Sequence, residues 1–177
     1  MAETIRGKGV ISGIAVGQVL LAGQNLDGYL AAYKAGAVDE EQEKANVAIA
    51  AVTETLLTTI ERLRKEEQTE QAAILEAHRM MVQDPMMAEN ITAKIAATGS
   101  APQGILDAAN EQAQLFEQME DEYFAARAVD LRDVGKRIAK HVLGVKEPEI
   151  GSSQVILVGE EIEPSVVAGM PTGVRPL

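Results

Sequence analysis

The run Thr69-Glu70-Gln71-Ala72-Ala73-Ile74-Leu75-Glu76-Ala77-His78-Arg79-Met80-Met81-Val82-Gln83-Asp84-Pro85 reads as an amphipathic helix that stops at a proline. Ala72, Leu75 and Val82 fall on one apolar line at helical spacing and point toward a core. Asp84 precedes a proline and is biased away from the α region, so the helix spans about Thr69 to Gln83. Glu70, Ile74, His78 and Met81 are spaced four, four and three apart and form a second stripe. If the core takes the first line, this stripe faces outward. An acid, an aliphatic, an imidazole and an adaptable thioether in a row then make a docking surface. The same spacing also suits a wide-faced helix that buries them all, so His78 is open to either use.

The flanking sequence repeats the helical period. Asp39 with Gln42 reads as a capping pair, followed by Ala45, Ala48, Val52, Leu56, Ile60 and Leu63 along one face. Beyond Pro85, Met86, Met87, Ile91 and Ile95 mark a short helix ended by Gly99. Ser100 and Gln103 read as a second capping box, with Pro102 tolerated in the first turn. Ile105, Leu106, Ala109, Ala113 and Phe116 line a third long helix. Phe124, Ala128, Leu131, Val134, Ile138 and Val142 line a fourth, which Gly144 closes. Four long amphipathic helices on short connections predict an antiparallel bundle.

Both ends of the chain read differently. Val10 to Leu21 is glycine-punctuated and β-branched, and Val155-Ile156-Leu157-Val158 is a short, wholly apolar run after the loop 146–154. One sheet built from both ends puts the fold in the α+β or α/β class, with the helical bundle inserted into a partial α/β subdomain. The expected divisions are 1–35, 36–145 and 146–177. Gly7, Gly9 and Gly13 have the wrong spacing for a dinucleotide loop and read as a tight strand turn.

Composition excludes several functions. With 46% hydrophobic and 24% charged residues, 177 residues suffice for an ordinary globular core. The absence of cysteine removes disulfides, thiolate chemistry and thiolate zinc sites. A net charge of −11 argues against nucleic acid and anionic membranes and favours a basic protein partner. No apolar run nears the roughly 20 residues of a membrane span, and Met1-Ala2-Glu3-Thr4 does not open a signal peptide. The expected location is the cytoplasm.

No catalytic constellation stands out. The two histidines lack metal-ligand spacing, and Glu66-Glu67 and Glu160-Glu161 read as solvated acids. On the fourth helix, Asp133 with Arg137 and Arg127 with Asp130 have ladder spacing, which suits a self-paired surface. His141 lies near the end of that helix, where a cation favours the dipole.

Glu76-Ala77-His78-Arg79-Met80-Met81-Val82-Gln83-Asp84-Pro85, Asp121-Glu122-Tyr123 and Arg127 to Arg137 together resemble the N-terminal region of enzyme I. Enzyme I is the phosphoenolpyruvate-protein phosphotransferase of bacterial sugar transport. The resemblance covers roughly Gly7 to Gly169. It implies a helical subdomain that docks the phosphocarrier HPr, and an α/β subdomain whose histidine passes phosphate to HPr. Contacts with HPr would then fall on Glu70, Ala73, Ile74, Glu76, His78, Met80, Met81 and Asp84, and on Arg127. Family members carry more acid and lysine around Thr69, Gln71, Pro85 and Met86, which implies a shift in affinity or partner identity.

Val155 to Val158 and Glu163-Pro164-Ser165 match the approach to the family's phosphohistidine segment, Gly-Gly-x-Thr-Ser-His. The chain closes instead with Met170-Pro171-Thr172-Gly173-Val174-Arg175-Pro176-Leu177. The expectation is a chain with no catalytic residue, no metal and no cofactor of its own, which binds HPr and does not transfer phosphate. Magnesium and homodimerisation belong to the family's C-terminal domain, which is absent here. Two other identities fit the resemblance: a stand-alone HPr-binding module, or the enzyme-I-like part of a dihydroxyacetone kinase phosphotransfer subunit.

Overall fold

The computed structural model describes residues 16–21, 25–119, 121–145, 155–159 and 166. The glycine turn at Gly7 to Gly13, the loop 146–154, the Glu163-Pro164-Ser165 match and the closing segment lie outside the described residues.

The strands β1 (Gln18–Leu21) and β2 (Val155–Val158) pair in parallel, with Gln18 opposite Val155 and Leu21 opposite Val158. A parallel pair needs a long crossover. Here the crossover carries the six helices α1 to α6 of the described residues, as expected for helices inserted between two ends of one sheet.

Helix α1 (Asp27–Ala32) was not legible from periodicity because it is less than two turns long. Asn25 Oδ1 accepts from the Asp27 N–H at 2.7 Å. Leu26 and Leu30, one turn apart, tuck against the bundle.

Helix α2 (Val38–Lys65) is the central element, about 42 Å long. Its buried line Ala45, Ala48, Val52, Leu56, Ile60 and Leu63 is the one expected, extended backward by Glu41. The N-cap is Ala37, without a side-chain bond, so Asp39 and Gln42 do not form the expected cap. Asp39, Glu40 and Glu41 instead place three acids in the first turn, and Arg62, Arg64 and Lys65 three bases in the last, which complements the helix dipole. The helix ends in a Schellman motif: Glu67 takes φ 59°, its N–H reaches Arg64 O, and Gln68 N–H reaches Leu63 O.

Helices α3 (Thr69–Val82) and α4 (Pro85–Thr98) break at Asp84, whose extended backbone and Oδ1 bond to Met86 N–H (2.9 Å) make it a true N-cap. Gly99, at φ 70°, ends α4. Helix α5 (Ala101–Glu117) starts after Ser100, yet the Ser100 side chain makes no cap bond. Gln103 pairs with Asp107 instead of closing a capping box.

The missing cap comes from far away. Glu41, fully buried on α2, accepts from the Ala101 N–H at 2.8 Å. Helix α6 (Glu122–Val142) then returns along α5 and closes at Gly144 in a second Schellman pattern. A Cβ on Gly135 would overlap Ala109, so α5 and α6 meet at backbone distance there. One cluster of buried aliphatics and alanines runs through α2 to α6. Leu56, Ile60 and Leu63 are fully sealed, each contributing about 1.5–3 kcal/mol.

Candidate functional site

Helix α3 turns Ala72, Leu75, His78 and Val82 inward. The first, second and fourth are the expected apolar line. His78 is the correction: its side chain is only 2% exposed, so it does not belong to the outward stripe. The helical period explains this. His78 follows Leu75 by three residues and precedes Val82 by four, which places it on the same side. Periodicity marked the face, but an imidazole on it is readable only once its partners are known.

Those partners come from α6. His78 Nε2 lies 3.2 Å from Asp130 Oδ1, and Nδ1 lies 3.8 Å from Asp133 Oδ2. Asp130 also accepts from Arg127 Nη1 at 3.0 Å, as the ladder spacing predicts. Burial pushes the Asp130 carboxyl up, but His78 and Arg127 outweigh it and hold the group below its ordinary range. Asp133, read as half of a surface pair with Arg137, is buried and turned toward His78.

The outward face of α3 is carried by Glu70, Ala73, Ile74 and Met80. Ile74 is 42% exposed and Met80 59%, and Met86 at the start of α4 is more exposed still. Met81 is partly buried against the core, and Asp84 is partly buried and engaged in capping. Among the nine residues anticipated for docking, Glu70, Ala73, Ile74 and Met80 are open to a partner. Glu76, Met81, Asp84 and Arg127 flank them, and His78 lies beneath.

Beside this face runs a shallow groove of about 250 Å³, lined by Arg64, Thr69, Ala72, Ala73, Glu76, Ala77 and Met80. Its floor is alanine and methionine, and its rim is charged. Glu76 is already engaged by Arg79 at 2.5 Å and lies 3.7 Å from Arg64. The hydrogen bond from Arg79 is the main reason its carboxyl stays below the usual range. Glu70, in the first turn of α3, has no cation beside it among the described residues. It is the acid most available to a basic partner.

Spacing alone did not single out Arg132, which joins α6 to α5 through Glu117 at 2.6 and 2.9 Å and Asn110 at 3.1 Å. Phe116 and Phe124 meet at 5.6 Å between ring centres and tie the same two helices. Among the described residues no group of three or more acids and histidines could hold a metal ion. No helix among them is long and apolar enough to cross a membrane.

Residues 6–127 match the family described as PEP-utilising enzyme, N-terminal. The phosphoenolpyruvate-protein phosphotransferase of Staphylococcus carnosus (strain TM300) is 32% identical over 173 residues, covering 95% of this chain and 30% of that protein. The protein of the same name from Priestia megaterium is 31% identical over 171 residues, with the same coverage. The chain therefore spans less than a third of these relatives. A solution structure of enzyme I (nEIt) superposes with a TM-score of 0.72 at 30% identity, covering 89% of this chain and 65% of that one. The N-terminal domain of "Enzyme 1 - Nitrogen" gives 0.65 at 20% identity, covering 90% and 66%, which is a likeness of fold.

Proposed function

The chain belongs to the family of PEP-utilising enzyme N-terminal domains, and on that premise we propose that its α3 face docks the phosphocarrier HPr for phosphate relay in sugar uptake. The observation that carries this reading is the outward row Glu70, Ala73, Ile74 and Met80, open beside an apolar-floored groove. Small residues let a partner helix approach closely, and Met80 adapts its shape to it. The exposed Glu70 and a net charge of −11 favour a positively charged carrier. An interface of about 1,200–1,600 Å² in total suits such a transient exchange.

The 177 residues by themselves bind without accepting phosphate from phosphoenolpyruvate. Attack on a phosphoryl group needs an accessible imidazole nitrogen. Both nitrogens of His78 face carboxylates, which would repel the incoming anion. His141 is exposed at the end of α6, on the last turn of a helix away from the docking face on α3.

Titration calorimetry with HPr at low salt tests the docking face. The intact chain is expected to bind, and Ile74→Ala combined with Met80→Ala to weaken binding by about tenfold or more. Glu70→Lys should mainly slow association and flatten its salt dependence. Absence of heat from the intact chain, or an unchanged affinity in the double variant, refutes this face. Incubation with labelled phosphoenolpyruvate is expected to leave the chain unlabelled, and label retained on either histidine would overturn the non-transferring reading.

A further inference from the structure

We propose that Arg64 is a specificity-determining residue of the docking groove: it seats a carboxylate of the carrier, across the α3 row from the edge where Glu70 takes a cation. The inference rests on the docking function proposed above and adds the polarity that the partner must have. Its starting point is an under-neutralised cation on a chain of net charge −11. Arg64 leaves the last turn of α2, lines the groove and keeps its side chain 62% exposed. The acid it reaches among the described residues is Glu76, at 3.7 Å. That carboxylate is already held by Arg79, through Nη2 at 2.5 Å and Nε at 3.1 Å. Arg79 is mostly covered and also donates to Gln83 at 2.6 Å, so its donors are used within α3. Two cations against one acid leave a positive charge at this wall of the groove, and Arg64 is the one that faces solvent.

The two helices fix where that charge stands. Glu76, beside Arg64, follows Glu70 by six residues, about 9 Å further along α3 and about 120° around it. Ala73, Ala77 and Met80 fall in the arc between them and line the groove. Glu70 therefore puts a negative charge on one side of this apolar strip, and Arg64 a positive one on the other. Opposite charges flanking a docking strip fix a partner's register, because the reversed pose sets like charges together. The strip itself is alanine and adaptable methionine, and would not choose between the two poses. Helix-dipole compensation accounts for bases in the last turn of α2, but Lys65 supplies that as well and points about 100° away from Arg64. Of Arg62, Arg64 and Lys65, Arg64 alone lines the groove.

Titration calorimetry with HPr at low salt, on Arg64→Gln and Lys65→Gln beside the native chain, separates this seat from a general effect of charge. Each variant removes one positive charge from the last turn of the same helix. If overall charge governs, both bind a basic carrier as tightly as the native chain or more so. A seat for a carboxylate predicts that Arg64→Gln binds about three- to fivefold more weakly, while Lys65→Gln does not. Arg64→Lys, which keeps the charge and loses the planar fork, should recover part of the loss. Both side chains are exposed, so the variants should melt close to the native temperature.

Changing each acid of HPr to its amide in turn then locates the other half of the pair. One such change should weaken binding to the native chain by a similar factor and leave binding to Arg64→Gln unaltered. Equal or tighter binding by Arg64→Gln, the same loss in Lys65→Gln, or no HPr acid coupled to Arg64 overturns the proposal and leaves the docking face standing. Failure of the native chain to bind HPr would instead sink the docking function, and the seat with it.

Discussion

Replacing Glu41 by alanine is expected to lower the stability of the helical region by about 2–4 kcal/mol, the largest effect expected of any single polar residue among the described ones. The carboxylate is fully buried, and each oxygen takes two donors. Oε1 accepts from Gly36 N–H at 2.9 Å and Lys44 Nζ at 2.6 Å, while Oε2 accepts from Tyr33 Oη and Ala101 N–H, both at 2.8 Å. Truncation leaves the buried first N–H of α5 without its acceptor and also removes the acceptor of the part-buried Gly36 N–H. Thermal melting of Glu41→Ala and Glu41→Gln beside the native chain checks this. A melting temperature within error of the native value for the alanine variant would refute it.

The same group sets an acid limit. Burial alone would raise the Glu41 carboxyl, but the donors of Gly36, Lys44, Ala101 and Tyr33 together hold it at about 2, against 4.5 for an ordinary glutamate. A carboxyl held lower in the folded state contributes its full stability above the unfolded value and loses it as pH falls toward the folded one. The native chain should therefore lose stability between about pH 5 and pH 2. Glu41→Gln, less stable at neutral pH, should show a flatter profile across that window. Parallel profiles for the two proteins would show that other carboxylates dominate acid unfolding.

Gly104→Ala is expected to cost about 2–3 kcal/mol by prising α4 from α5. An added Cβ would stand 2.7 Å from Ile95 Cγ1 and 2.8 Å from the Ile95 backbone nitrogen. A side chain can swing away, but a helical backbone atom moves only with its helix. Ordinarily glycine to alanine inside a helix is stabilising by about 1 kcal/mol, so a loss here would report the interface and not the helix itself. Denaturant titration gives the sign directly. An unchanged or higher midpoint would mean that α4 and α5 separate without penalty.

These two residues mark where a reading of the chain stops. The inward line of α2 from Ala45 to Leu63 was legible because each member is apolar and the period is 3.6. Extended back by four residues, that line reaches Glu41, so a signal was present. It was masked because Asp39-Glu40-Glu41 has the look of a solvated first turn. For α5 the local pattern Ser100 to Gln103 suggested a self-contained cap, and the acceptor used is 60 residues away in sequence. Gly104 carries no period and no side chain to read, and only the position of Ile95 explains it.

On the docking face the result was mixed for a comparable reason. Glu70, Ile74 and Met81 were placed on one stripe with His78, yet the structure moves His78 to the buried side. Ala73 and Met80, which entered through family resemblance, proved to be exposed. A stripe of residues at four, four and three covers a wide arc of helix surface, and its edges are decided by what the neighbouring helix offers.

The spans of α2 to α6, their local breaks at Asp84, Gly99 and Gly144, and the apolar lines followed from the sequence by itself, because propensity, caps and period act within a few residues. The tertiary structure alone decided which charged groups go inside. Burying Glu41 or His78 is unfavourable until donors or carboxylates from distant helices surround them, and those neighbours exist only after the bundle has closed.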